Sequence, residues 1–413
     1  MTTGTPAKPA TDVFAKITGD GRVEQWRMAE SMGLLPYFQE LDGEVGPRMR
    51  FGGRDVVMLG SNNYLGLTAD ERVRAAAVDA VHRYGTGLTG SRLLNGTLRL
   101  HGELEEKLAD WVGTEAALVF TTGYAANIGL VSSLVGVDDA LFVDSAAHAS
   151  LVDGGRFCDG ALRAFRHNRP NSLRRGLRSW REQADVGGLL VAVDGIYSME
   201  GDVAPLVEID AVCRDFGARL LVDEAHALGV SGPDGAGSAA AAGIRPDLVM
   251  GTFSKSLASC GGFIGGSRAM IDYLKITCRP LVFTASGVPA ALAAASVAVD
   301  IARVEHWRRD AIVARSTQLR AGLAALGYQV GGSDGSAVVP VHVGDVWEAG
   351  QLWKSLLSHG VYTNCAVPPA VPRALLRTSV MATHSEADID DALAGFAAAR
   401  AEQHPDSDGP AQR

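Results

Sequence analysis

Short apolar runs alternate with helix-patterned segments over most of this 413-residue chain, and that alternation confines the fold to an α/β body built on a parallel sheet. The runs at 117–120, 140–143, 189–193, 219–222, 248–250 and 263–265 are apolar on both faces. That is the pattern of strands buried under helices, not of strands open to water on one side. Residues 70–84 and 101–111 read as amphipathic helices, with Asp70 as the cap of the first. From 289 to 326 the pattern turns helical and long, and is expected to link a large domain to a smaller C-terminal one. The smaller unit has predicted strands at 337–342 and around 376–380, a helix near 347–358 and a last helix from 386 to 400. The expected organisation is an N-terminal arm over 1–54, a large domain over 55–290, a linker helix and small C-terminal α/β domain over 291–400, and a disordered polar tail over 401–413.

Polar residues gather just past the ends of these runs, where open α/β sheets bind ligands. Asp223-Glu224-Ala225-His226 follows 219–222, and Gly251-Thr252-Phe253-Ser254-Lys255-Ser256 follows 248–250. An amine held near a buried acid and an imidazole is the equipment of a pyridoxal phosphate enzyme, in which the lysine forms a Schiff base and the acid partners the pyridinium nitrogen. A carboxylate at 223 is costly to bury without a partner, and a protonated pyridine nitrogen would keep it ionised. As plain architecture, Asp223 would be a helix N-cap and His226 a satisfied core histidine. His148, in the segment 144–150, is placed to stack on an aromatic cofactor face. Ser198, in the segment 194–202, offers a polar contact. Residues 121–127 (Thr-Thr-Gly-Tyr-Ala-Ala-Asn) lie between a strand and a helix, where backbone N–H groups and the helix dipole suit a phosphate.

Other features narrow the function. Residues 85–90 match G-x-G-x-x-G but follow a predicted helix instead of a strand, so they read as a glycine loop near a ligand and not as a dinucleotide fingerprint. The stretch 163–181 holds seven arginines and reads as a solvated helix face, with docking of an acidic acyl carrier protein as the alternative. A net charge of −9 argues against nucleic acid as the main partner. Five cysteines, at 158, 213, 260, 278 and 365, form no Cys-x-x-Cys pair, which points away from zinc and disulfides and toward a reducing cytoplasm. The first twelve residues lack the apolar core of a signal peptide, and no apolar run reaches membrane-spanning length.

Several segments together carry a resemblance: 89–97 (Thr-Gly-Ser-Arg-Leu-Leu-Asn-Gly-Thr), 165–168 (Phe-Arg-His-Asn), 197–199 (Tyr-Ser-Met), 251–256 and 278–286 (Cys-Arg-Pro-Leu-Val-Phe-Thr-Ala-Ser). From about residue 33 to 399 the chain resembles the α-oxoamine synthase family of fold-type-I pyridoxal phosphate enzymes, and within it looks most like the bacterial serine palmitoyltransferases. The resemblance implies that Lys255 binds the coenzyme and moves the substrate Cα proton. Asp223 would pair with the pyridine nitrogen, His226 with the ring oxygen, and His148 would stack on the ring. Gly123, Tyr124, Thr252 and Ser254 would hold the phosphate. Thr284 and Ala285 would complete that phosphate site from a partner subunit, which implies a homodimer. Asn62 and Arg377 would face the amino-acid carboxylate, a task that suits the planar guanidinium fork. The implied reaction is a decarboxylative Claisen condensation of an amino acid with an acyl thioester, on coenzyme A or a carrier protein, giving an α-amino ketone.

Related activities, such as 8-amino-7-oxononanoate synthase or glycine C-acetyltransferase, are alternatives within the family. An aminotransferase, a catalytically silent partner subunit and a nicotinamide oxidoreductase are the readings outside it. One departure stands out. Val367 occupies a position where serine palmitoyltransferases carry an Arg, and Arg373 lies in the shortened loop that follows.

Overall fold

The computed structural model describes residues 12–18, 20–183 and 186–403. Near its start, β1 (Arg48–Phe51) and β2 (Arg54–Met58) form a hairpin. A seven-stranded sheet follows, built from β3 (Ala116–Phe120), β4 (Ala140–Asp144), β5 (Ala161–Phe165), β6 (Leu189–Asp194), β7 (Arg219–Asp223), β8 (Leu248–Thr252) and β9 (Gly262–Gly266). Its order is β3-β9-β8-β7-β6-β4-β5, and the run from β8 to β5 is parallel. A third, antiparallel sheet has the order β10-β11-β14-β13, with β10 at Gln329–Val330, β11 at Val338–His342, β13 at Asn364–Ala366 and β14 at Leu375–Ser379. The two-residue strand β12 (Val361–Tyr362) pairs in parallel with β2, so the N-terminal hairpin is stitched to the C-terminal part of the chain.

The predicted strands all form, each within a residue or two of its expected ends. In β3, β4, β6, β8 and β9 every residue is buried, as strands covered on both faces require. β5 is missing from the sequence reading because it is an edge strand, half exposed, with Arg163 in its middle. β10, β12 and β13 are two or three residues long and carry no periodic signal. β9 runs antiparallel to both its neighbours. Its connection from β8 covers only residues 253–261, too short for the crossover that a parallel strand needs, so the chain must turn straight back. Lys255 rides on that turn.

The helices follow the expected pattern. Asp70 caps Glu71–Tyr84, accepting from the Arg72 amide at 3.0 Å. The segment expected to be one long helical linker is two helices, Pro289–Val304 and His306–Ala325, broken at Glu305. In Pro170–Arg181 the residues Leu173, Leu177 and Trp180 face inward, while Arg175, Arg178 and Arg181 are exposed. The final helix runs from Glu386 to Gln403, into the stretch read as tail, and the remainder of that tail lies outside the described residues. Residues 85–90 form a loop after a helix with no strand before it, which removes the dinucleotide geometry.

The segment leading into the helix Glu71–Tyr84 is tied to the break between the two linker helices by a buried cation. Arg308 donates to the Leu65 carbonyl at 2.6 Å and pairs with Asp70 at 3.1 Å and Glu305 at 2.8 Å. Replacing Asp70 with Ala therefore removes a helix cap, worth about 1 kcal/mol, and also strips an anion from a buried guanidinium, a loss that reaches about 3–5 kcal/mol when a pair is fully buried. Urea denaturation is expected to show Asp70→Ala losing clearly more than the cap alone, with Asp70→Asn, which keeps an N-cap acceptor, in between.

Candidate active site

Three adjacent parallel strands end in aspartates. Asp144 closes β4, Asp194 closes β6 and Asp223 closes β7, with Asp194 and Asp223 directly opposite in register. All three are buried. Among the described residues no cationic side chain is hydrogen-bonded to Asp223. Its Oδ2 accepts from the Asn127 amide at 2.8 Å and its Oδ1 from the Ala225 backbone at 2.9 Å. No helix follows Asp223, so its bond to Ala225 closes a turn and is not a helix cap. Burial and the neighbouring Asp223 charge push Asp194 well above the usual carboxylate range. It also accepts from the His148 backbone N–H at 3.2 Å.

Lys255 is partly buried beside these groups. Burial is the largest influence on it and, with the Arg377 charge, brings its ammonium down to about 8 against the opposing pull of Asp223 and Asp194. His148 caps the helix Ala149–Phe157, its Nδ1 lying 2.7 Å from Ser150 Oγ. Burial lowers its pKa, opposed by the Asp223 charge, so it presents a neutral ring. Ser150 Oγ in turn accepts from Asn127 Nδ2 at 2.8 Å. Asn127, Ser150 and Asp223 therefore form one buried network beneath the His148 ring.

His226 is buried, and that burial, with the Lys255 and Arg377 charges, holds its pKa well below the ordinary value. Its Nδ1 sits 2.6 Å from the hydroxyl of buried Tyr64. Tyr64 also accepts from Arg377 Nη2 at 3.0 Å and lies 3.2 Å from Asn62 Oδ1. With one proton to give, the Tyr64 hydroxyl donates best along the shorter contact, which assigns the His226 hydrogen to Nε2, free to donate to a ring oxygen. Arg377, on β14, is buried, and its Nε donates to the Ser198 carbonyl at 2.5 Å. Ser198 thus takes part through its backbone carbonyl.

The phosphate end is formed where the helix Gly123–Leu134 begins. Thr122 caps it, accepting from the Ala125 amide at 3.0 Å. The Gly123 and Tyr124 amides lie in the first helical turn and have no intrahelical acceptor. A Cβ on Gly262 would meet the Gly123 Cα at 2.6 Å, so the helix start can lie flat on β9 only because position 262 is glycine. Thr252 packs against Gly123, and its Oγ1 bonds the Gly261 carbonyl at 3.0 Å and lies 3.3 Å from Ser254 Oγ. Tyr124 is half exposed, its hydroxyl bonded to Asp153 and its ring edge-on to His148 with centroids 6.4 Å apart.

A pyridoxal phosphate molecule fits this donor set. The free amides of a helix start would hold its phosphate, Asp223 would face a protonated ring nitrogen and His226 Nε2–H a ring oxygen, and Lys255 would reach the aldehyde. Thr284 and Ala285 are exposed and lie beside the 90–91 loop, with Ala285 bridged to Ser91 and the Ser286 N–H on the Gly90 carbonyl at 2.8 Å. Among the described residues no hydrogen bond joins them to the Lys255 cluster. Val367 packs against the small-domain core and lines a groove of about 410 Å³ with Trp26, Tyr37 and Cys365, while Arg373 is exposed. Sequence reasoning left Tyr64, Asn127 and Ser150 without roles. Asn127, one helical turn beyond Gly123, was the most findable of the three.

The family model "Aminotransferase class I and II" matches residues 54–396. A serine palmitoyltransferase of Caulobacter vibrioides is 44% identical over 376 residues, covering 90% of this chain and 92% of that protein. A putative 8-amino-7-oxononanoate synthase 2 of Mycobacterium tuberculosis is 41% identical over 393 residues, which span 94% of this chain and 50% of that protein. A solved serine palmitoyltransferase described as carrying its pyridoxal phosphate internal aldimine superposes with a TM-score of 0.90 at 37% identity, covering 94% of this chain and 98% of that one.

In cofactor-free protein, carbamylation of Lys255 by cyanate, followed by peptide mass spectrometry, should titrate near pH 8. Asp223→Asn should move that midpoint lower, because Asp223 stabilises the charged ammonium.

Proposed function

Because the chain belongs to the class I and II aminotransferase family, and within it to the serine palmitoyltransferase-like α-oxoamine synthases, we propose that its Lys255 site joins an amino acid, L-serine the first candidate, to a long-chain acyl thioester. The enzyme is a pyridoxal phosphate-dependent C-acyltransferase that releases CO2 and a thiol and yields an α-amino ketone. The observation that carries the reading is the placement of a lysine with a lowered pKa within electrostatic reach of Asp223, His226 and the buried, two-armed Arg377.

Pyridoxal phosphate, when bound, supplies the electron sink that makes a Cα carbanion accessible. The remaining work falls to the chain. Lys255 Nζ, neutral in an appreciable fraction near pH 8, takes the Cα proton. Asp223 keeps the ring nitrogen protonated, and Asn127 fixes the carboxylate that does so. His226 donates from Nε2 to the ring oxygen, while Tyr64 locks its tautomer. His148 would cover one ring face, and Gly123, Tyr124, Thr252 and Ser254 would hold the phosphate. Arg377 and Asn62 receive the substrate carboxylate, and Ser198 orients Arg377.

A homodimer belongs to the same proposal. Leu93, Leu94 and Phe283 are exposed on the segments that carry Ser91 and Ala285, an apolar edge suited to a second copy. Thr284 and Ala285 would then reach the partner's phosphate end. All five cysteines are free thiols, which suits a reducing cytoplasm. Among the described residues no helix is long and apolar enough to cross a membrane. The Mycobacterium tuberculosis relative favours a second reading, a condensation of the 8-amino-7-oxononanoate synthase type.

A matrix of amino acids against acyl thioesters, on coenzyme A and on carrier protein, scored by free thiol and product mass, selects among these. Lys255→Ala is expected to lower turnover at least ~100-fold and to leave no coenzyme-labelled peptide at 255 after borohydride. Normal turnover in that variant would end the proposal. Lys255→Ala and Thr284→Glu, each inactive alone, should regain activity when co-expressed, since a mixed dimer restores one complete site. Failure to complement would remove the shared-site arrangement.

A further inference from the structure

The segment 165–168 helped to carry the family resemblance but has no role in the chemistry above. In the structure His167 lies between two carboxylates. Its Nδ1 is 2.8 Å from Asp144 Oδ1 and its Nε2 is 2.8 Å from Asp202 Oδ2. Carboxylates only accept, so both ring nitrogens carry hydrogens and the ring is an imidazolium. Burial works against that charge, and the bonds to Asp144 and Asp202 outweigh it, leaving the pKa at about 10. Asn168 reinforces the clamp. Its backbone N–H donates to Asp144 Oδ2 at 2.8 Å and its side-chain amide to Asp202 Oδ2 at 2.7 Å.

Asp202 closes the turn that carries Ser198. Tyr197 N–H donates to the Asp202 carbonyl at 2.9 Å, Gly201 N–H to the Tyr197 carbonyl at 2.9 Å, and Ile196 bridges Val203. The Tyr197 ring stands edge-on against His167, centroids 4.4 Å apart. On its other side the turn meets the small sheet, where Arg377 Nε donates to the Ser198 carbonyl and the Ser333 N–H donates to the Gly201 carbonyl at 3.0 Å.

We propose that His167 is a positioning residue for the amino-acid substrate: by holding Asp202 against Asp144 it fixes the turn of residues 195–203, and through the Ser198 carbonyl it fixes the guanidinium of Arg377. The proposal rests on the reading that Arg377 receives the substrate carboxylate. Asp144 is anchored in the large sheet and Arg377 in the small one, so the clamp is where the two sheets set the geometry of a shared ligand. A displacement of about 1 Å at such a contact costs up to ~100-fold.

The test uses the coenzyme-loaded enzyme and the amino acid that the matrix assay selects, L-serine first. Its dissociation constant is read by absorbance titration, and KM and kcat by thiol release. His167→Asn is expected to raise the amino-acid dissociation constant at least ~10-fold while leaving the thioester KM and coenzyme affinity near wild type. Asp202→Asn strips the charge from the same bond on the other side and should act in the same direction, which covers the case in which His167→Asn fails to fold. Combined with Arg377→Lys, His167→Asn should add little, because both act on one contact. Wild-type amino-acid affinity in His167→Asn and Asp202→Asn, beside a weakened Arg377→Lys, would overturn the clamp. Fully additive losses in the double variant would overturn it as well. An Arg377→Lys enzyme with unchanged affinity would instead remove the carboxylate reading on which the clamp rests.

Discussion

Everything at this site is conditioned by the crowding of negative groups at the ends of β4, β6 and β7. Three buried aspartates on adjacent strands cannot all stay charged without compensation, since burial and like-charge repulsion both oppose ionisation. The chain answers each one differently. Asp144 is met by the His167 imidazolium, Asp194 has its pKa pushed well above the usual carboxylate range, and Asp223 accepts from an amide and a backbone donor with, among the described residues, no cationic side chain hydrogen-bonded to it. That leaves Asp223 available to a positive ligand group, while burial and the Arg377 charge keep the Lys255 ammonium only marginally favoured despite the pull of Asp223.

The second organising element is the chain of contacts from Arg377 through Tyr64 to His226. Arg377 belongs to β14 of the small sheet, His226 follows β7 of the large one, and Tyr64 comes from the segment between the N-terminal hairpin and the first long helix. One hydroxyl thus couples the guanidinium of Arg377 to the imidazole of His226. It also fixes a tautomer, which no amount of burial would do alone.

Much of this was legible in the sequence. Strands covered on both faces announce themselves as unbroken apolar runs, and the positions just past them held Asp223, Lys255, His226 and His148. What stayed hidden has a common physical cause. β5 is an edge strand that tolerates Arg163, and β12 and β13 are too short to show a period. Tyr64, Asn127 and Ser150 act on partners far away in the chain: Tyr64 meets His226 and Arg377, and Asn127 meets Asp223. The bond from Arg377 goes to the Ser198 carbonyl, and no residue type encodes a backbone acceptor.

The stitching of β2 to β12 bears on how the molecule is made. Val57 pairs with Val361, more than 300 positions later, so the hairpin emerging first from the ribosome must wait for nearly the whole chain before it finds its partner. The large sheet, complete by residue 266, can form meanwhile. Such long-range closure is slow, and it leaves an unpaired strand edge exposed during synthesis. Recombinant production should therefore reward slower translation or lower temperature, conditions that give the late-arriving strand time to seal the early one.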